Sequence, residues 1–273
     1  MEEINVGGTR IAYEARGKGD PVILLHGWNA TSKQWLLNLK ALAQGRRVIA
    51  PDLPGHGDSQ EGGFAFDLDG MAEFLDSFRK ALRLSNFDLV GHSLGGCISL
   101  RYAARRPSAV RRLVLVSTPT HSAGIGIRAY LPGLPRLVSA GYRFRSEAVL
   151  KWMFYRGLYR PERQDLDFVR ANAKASMKTT LAALAATAGI VRKLDLSQDL
   201  RAVEVPTLIV FGDKDRSVNP KEALRQKEAL PNPYLAMITG SGHCPHCERP
   251  ELFNAIVTEF LEQGAPQDAA TRR

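Results

Sequence analysis

Cysteine is scarce, with three in 273 residues. Three thiols at uneven spacing cannot build a disulfide framework, so a reducing cytoplasm is the expected compartment. Long apolar runs are missing too. No stretch approaches the ~18 uninterrupted apolar residues of a membrane-spanning helix, so stable membrane insertion is not expected. The chain opens acidic, Met1-Glu2-Glu3, with no apolar segment behind it, and no secretory signal is expected. Internal repeats and low-complexity tracts are absent. Hydrophobic residues make up 44% and charged residues 24%, which excludes a disordered, fibrous or collagen-like protein.

Charge of one sign is in excess, at +9 net. Residues 119 to 200 hold 13 Lys or Arg against 6 Asp or Glu, so 13 − 6 = +7 of that excess sits there. It is spread through helical-looking sequence and forms neither a tail nor a dense cluster. A solvated basic surface accounts for it, and nucleic acid is not an expected partner.

Strand-like and helix-like segments alternate through most of the chain. Ile4 to Val6 and Ile11 to Ala15 read as an antiparallel pair. Val22 to Leu25 is a continuous apolar run, as a strand covered on both faces requires. Arg47 to Ala50, Phe87 to Val90, Leu113 to Val116, Thr207 to Phe211 and Tyr234 to Ile238 are further strands. Helices are predicted for Lys33–Ala43, Leu68–Leu82 with Asp67 as cap, Leu94–Ala104, Lys221–Ala229 and Glu251–Leu261. Between about 119 and 197 no strand pattern occurs. Pro119, Pro132 and Pro135 punctuate a loop, and helical stretches follow around Glu147–Tyr155, Asp165–Met177 and Leu181–Val191. The expected fold class is α/β: a mostly parallel central sheet flanked by helices, with an all-helical insertion. The expected division is a core of 1–118 and 198–262, an inserted unit of 119–197 and a frayed tail of 263–273.

Gly91-His92-Ser93-Leu94-Gly95 fits G-x-S-x-G, and it follows an apolar strand and opens an Ala-rich helix. A serine there stands at a helix N-terminus, where unpaired N–H groups can face developing negative charge. A serine hydroxyl needs a base. His243, in a Gly-rich loop after a late strand, is the first candidate, and His246 the second. His26 and His56 read as structural. The orienting acid should follow the strand ending at Phe211, where Asp213 and Asp215 both stand. Two oxyanion donors are expected, the backbone N–H of Leu94 and that of Trp28 in the loop His26-Gly27-Trp28. His92, Trp152 and Tyr155 are pocket candidates. Arg143, Arg145 and Arg156 are candidates for an anion-attracting rim.

These pieces, together with Asp52-Leu53-Pro54-Gly55-His56-Gly57-Asp58-Ser59, resemble the α/β-hydrolase superfamily over residues 4 to 262. The resemblance places Asp215, and not Asp213, on the family's acid, and it equates the insertion with a helical cap. It implies a catalytic set of Ser93, Asp215 and His243, with no metal and no organic cofactor. Ser93 stands where haloalkane dehalogenases and epoxide hydrolases carry aspartate. Trp28-Asn29 after His26-Gly27 is more similar to carboxylesterases than to carbon–carbon bond hydrolases, which often carry a Gly-rich run. The expected partner is a small-molecule ester. Carbon–carbon hydrolysis of dienoic ketones, cofactor-free perhydrolysis and ligand binding with low turnover are the family's alternatives. Cys244-Pro245-His246-Cys247 looks like the Cys-x-x-Cys of thioredoxin-fold oxidases, but it lies far from the start of any βαβ unit, and no redox or metal role is expected of it. Cys97 reads as a small buried residue.

Overall fold

Alternating apolar side chains sort this chain into two layers around one sheet. In the computed structural model, which describes residues 1–124 and 146–263, the strands are β1 (Glu2–Val6), β2 (Thr9–Arg16), β3 (Asp20–Leu25), β4 (Arg46–Pro51), β5 (Phe87–His92), β6 (Val110–Val116), β7 (Thr207–Gly212) and β8 (Pro233–Ile238). Their order across the sheet is β1-β2-β4-β3-β5-β6-β7-β8. β1 pairs antiparallel with β2, and β2 with β4. From β4 to β8 every pairing is parallel.

The helices are α1 (Leu36–Leu42), α2 (Leu68–Ala81), α3 (Leu94–Arg105), α4 (Glu147–Gly157), α5 (Leu166–Ser176), α6 (Leu181–Arg192), α7 (Ser197–Ala202), α8 (Lys221–Ala229), α9 (Pro245–Glu248) and α10 (Pro250–Gln263). Side chains alternate between faces along a strand, and both faces here are covered. Ile23, Leu25, Leu89, Leu113, Leu115, Ile209 and Phe211 meet Met71, Phe74, Phe78, Ile98 and Leu100 of α2 and α3. Their neighbours Val22, Leu24, Val90, Val114, Val116, Leu208 and Val210 meet Leu39 and Leu42 of α1 and Phe253, Val257 and Phe260 of α10. This double burial explains why the central strands read as unbroken apolar runs.

Local signals behave as their chemistry dictates. The Asp67 side chain accepts from the Gly70 N–H at 2.7 Å and caps α2. The helix expected over Lys33–Ala43 begins instead as a 3-10 turn, Ser32–Trp35, because Thr31 caps that turn and Trp35 departs from helical backbone angles. Sequence periodicity missed two short helices, α7 and α9, each too brief to show a repeat.

Between β6 and β7 the described residues contain helices and no strand. The proline loop at 132 and 135, Arg143, Arg145 and residues 264–273 lie outside the described residues. Among the described residues, no helix is long and apolar enough to cross a membrane.

Candidate active site

Four loops meet at the carboxyl edge of the sheet, where ligand sites of open α/β folds lie. The turn from β5 into α3 carries Ser93. Its backbone angles, φ 52° and ψ −114°, lie where a serine is disfavoured. Gly91 and Gly95 make this turn possible: a Cβ on either would strike the backbone carbonyl of Gly95 and of Leu25 respectively. The Ser93 hydroxyl forms no capping bond with the helix it precedes, so helix capping does not explain the residue. The turn is pinned by Ser93 N–H donating to the Val116 carbonyl at 2.9 Å. Leu94 follows at the first position of α3, where an N–H has no intrahelical acceptor.

The loop after β7 delivers Asp215, the expected acid. Asp215 Oδ1 accepts from the N–H groups of Ser217 (2.8 Å) and Val218 (3.0 Å). Its Oδ2 lies 2.8 Å from Nδ1 of His243, with the carboxylate buried. The other aspartate, Asp213, accepts from the Gly240 N–H at 2.7 Å and pairs with Lys214, so it closes a turn. With Nδ1–H donated to Asp215, the Nε2 lone pair of His243 is left to accept a proton.

His243 is held on several sides. Its N–H donates to the carbonyl of Gly157, at the end of α4, at 2.8 Å. Glu248 Oε1 accepts from the flanking amides of Gly242 (2.8 Å) and Cys244 (3.3 Å), and Oε2 accepts from Tyr159 N–H at 2.7 Å. Burial pushes the Glu248 carboxyl up, against the pull of the backbone amides of Tyr159, Gly242, Cys244 and Arg160. Nothing in the sequence pattern points to Glu248. No spacing singles it out, and only its place in the first turn of α9 could have hinted at it.

The fourth loop follows β3. A Cβ on Gly27 would lie 2.7 Å from His92 Nδ1 and 3.4 Å from Ser93 Cβ, so this loop passes directly beside the serine. His26 Nδ1–H donates to the Gly27 carbonyl at 2.8 Å, and His26 Nε2 accepts from Leu53 N–H at 3.0 Å. The ring braces the loop, as expected, and burial lowers its pKa to about 4. His56 is equally buried, and desolvation lowers it to about 3. The Trp28 indole Nε1–H donates to the Leu184 carbonyl of α6 at 3.0 Å.

One pocket expectation changes, and two candidates are placed on the insertion. His92 does not line a pocket. It is 3% exposed, its Nδ1 lies 3.1 Å from Gln34 Nε2, and its Nε2 lies 2.9 Å from the His243 carbonyl. Tight packing of the elbow against Gly27 turns the ring inward. Trp152 is 56% exposed and carries the Arg156 guanidinium over its ring at 4.6 Å. The reason is helical spacing: Leu150 is the buried residue of α4, and Trp152 falls on the opposite face. Tyr155 is half-buried, packed with Leu158, Phe168, Val169, Cys244 and Cys247, in the seam between the insertion and the histidine loop.

His246, the other candidate base, is fully buried. It packs against Trp35 at 4.6 Å and Phe253 at 5.8 Å, with no hydrogen-bond partner on either nitrogen among the described residues. Burial lowers its pKa to about 3. Cys97, Cys244 and Cys247 are free and buried. Desolvation pushes the Cys244 and Cys247 thiols well up, the reverse of what a reactive thiolate pair needs. Among the described residues, no group of three His, Cys, Asp or Glu could hold a metal ion.

Comparison with known proteins gives a consistent picture. A family model described as alpha/beta hydrolase fold matches residues 20–250. A 2-hydroxy-6-oxo-2,4-heptadienoate hydrolase from Pseudomonas putida is 30% identical over 268 residues, covering 93% of this chain and 94% of that protein. A pimeloyl-acyl-carrier-protein methyl ester esterase from Nitrosospira multiformis is 28% identical, covering 93% and 99%. The crystal structure of a bromoperoxidase from Bacillus anthracis superposes with a TM-score of 0.85 at 25% identity, covering 96% of this chain and 99% of that one.

Proposed function

The chain belongs to the α/β-hydrolase family, and we propose that it is a serine hydrolase cleaving carboxylic esters of small to medium size. The observation that carries this reading is the 2.8 Å bond from His243 to Asp215, joined through His92 to the strained serine elbow. Ser93 attacks the ester carbonyl while His243 Nε2 takes its proton. Asp215 holds the imidazole in the tautomer this requires and stabilises its charged form. The backbone N–H groups of Leu94 and Trp28 receive the developing oxyanion. His243 then protonates the leaving alcohol, and a water it activates releases the acid. The helical insertion serves as a cap over this edge, tied down through Trp28, Gly157 and Tyr159.

The likeness to a methyl ester esterase over nearly its whole length supports an ester substrate. The likeness to a dienoate hydrolase supports a second reading, carbon–carbon cleavage by the same residues. A panel of p-nitrophenyl acyl esters and a dienoic ketone, run with wild type and Ser93→Ala, decides between them. Ester turnover well above ketone turnover, falling on the order of 10⁶-fold in the variant, is the expected result. Near-normal ester hydrolysis by purified Ser93→Ala would remove Ser93 as nucleophile. Dominant ketone turnover would move the chain to the second reading.

A further inference from the structure

The hydrogen bonds beneath the site form a chain in which each member dictates the next. Gln34 is buried in the 3-10 turn Ser32–Trp35. Its Oε1 accepts from the Gly27 N–H at 3.1 Å. Turning the amide over would set its NH2 against that N–H, donor to donor, so the orientation is fixed. The NH2 therefore faces His92 Nδ1, at 3.1 Å. A donor there requires a bare lone pair on Nδ1, and a neutral imidazole then carries its proton on Nε2. Nε2 lies 2.9 Å from the carbonyl oxygen of His243, which can only accept. Along this path each donor meets an acceptor, and the Gln34 amide also contacts the buried Cys244 thiol.

We infer that Gln34 is a positioning residue for the proposed hydrolysis, coupling the Gly27–Trp28 loop to the His243 loop by holding His92 as its Nε2–H tautomer. This rests on the reading of Ser93, His243 and the Leu94 and Trp28 amides as the reacting groups. Gln34 touches none of the reacting atoms. It fixes the peptide that precedes the Trp28 amide, and through His92 it fixes the carbonyl of the residue that carries the base. The His243 N–H is already committed to Gly157, so the His92 bond secures the other end of the same residue. A charged His92 would present Nδ1–H to the Gln34 NH2. Burial and the neighbouring rings of His246 and His243 hold its pKa well below the ordinary value, which keeps the relay in one state.

The test begins with the wild-type protein labelled with ¹⁵N-histidine. Imidazole correlation spectra are expected to show His92 protonated on Nε2 and bare on Nδ1 throughout about pH 5 to 9, where an ordinary histidine titrates. A wild-type His92 protonated on Nδ1 overturns the proposal. Gln34→Glu keeps an acceptor for Gly27 but offers His92 no proton. In that variant the His92 proton is expected on Nδ1, with kcat reduced about ten- to a hundredfold and KM little changed, as a small misplacement of reacting groups costs. Gln34→Met, matched in length and unable to bond, should lose a similar factor. A folded variant with wild-type melting and kcat within about twofold of wild type also overturns it, because a 1 Å displacement should cost far more. If neither variant folds, the wild-type tautomer decides. Ester turnover surviving in Ser93→Ala defeats the hydrolytic reading and leaves the His92 tautomer to be judged separately, so the two failures are distinguishable.

Discussion

The sheet core and the helical insertion are held by different forces. β5 and β7 are buried along their whole length, and their side chains enter two continuous apolar layers. Among its described residues the insertion has two small apolar clusters, one around Leu158, Phe168 and Val169 and one around Leu150, Ala173 and Leu184, and its end, Leu194 and Leu196, joins the main core. It leaves Val149, Trp152, Leu166 and Leu181 exposed. It is fastened to the core by polar staples: Trp28 to the Leu184 carbonyl, Asn172 to the Lys33 carbonyl, Ser176 to the Asn29 carbonyl and the Thr180 N–H to the Gly55 carbonyl. A core held by area resists single changes away from its centre. A unit held by a handful of directional bonds shifts when one is lost. The proposed site lies along the seam, with Ser93 and Asp215 on the core side and His243 fastened to both.

That contrast can be broken most severely from the core side. Asp215→Asn should cut ester turnover about 10⁴-fold, since the imidazole loses its orienting acceptor. Steady-state kinetics with unchanged melting would confirm that the loss is chemical, and a loss below tenfold would make Asp215 dispensable. Acid attacks the core by another route. His26, His56 and His246 are buried neutral, with pKa values lowered from 6.5 to about 4, about 3 and about 3. Between 6.5 and those values the unfolded chain binds protons that the folded chain refuses, so stability present above about pH 6.5 is lost as pH falls. By about pH 5 each ring should cost on the order of 2 kcal/mol. Melting temperature measured from about pH 7.5 down to 5 should drop steadily, and a flat profile would contradict the burial of these rings.

The seam should respond more mildly. Glu248→Ala leaves the amides of Gly242, Cys244 and Tyr159 without their acceptor, and kcat should fall about tenfold to a hundredfold through misplacement of His243. Hydrogen exchange at those three amides reports whether the loop has loosened, and unchanged protection would argue against the clamp. The smallest effect belongs to the outer face of the insertion. Trp152→Ala should change stability by less than about 0.5 kcal/mol, as surface substitutions do, with KM for the ester panel unaltered. A clear rise in KM would return Trp152 to the pocket.

The sheet was legible because period-2 and period-3.6 patterns are local and long enough to count. The serine elbow was legible because strand, Gly-x-Ser-x-Gly and helix are contiguous. Choosing Asp215 over Asp213 required the resemblance, since both stand two residues apart in one turn. Gln34, Glu248 and the inward turn of His92 were not legible. Each has a partner far off along the chain, 58, 89 and 151 residues away, and no local periodicity encodes a contact at that distance. The insertion's helices were read correctly in kind, and which face each buries came only from the structure, as the exposed Trp152 shows.

By itself the sequence determined which segments become strands and helices, and which serine stands at a strained strand end, because those outcomes follow from side-chain alternation and backbone sterics over a few residues. Only the tertiary structure decided that His92 turns inward to Gln34 and the His243 carbonyl, that Glu248 clamps the His243 loop, and how the insertion is fastened. Those depend on hydrogen bonds whose donors and acceptors are brought within about 3 Å only after the sheet has assembled.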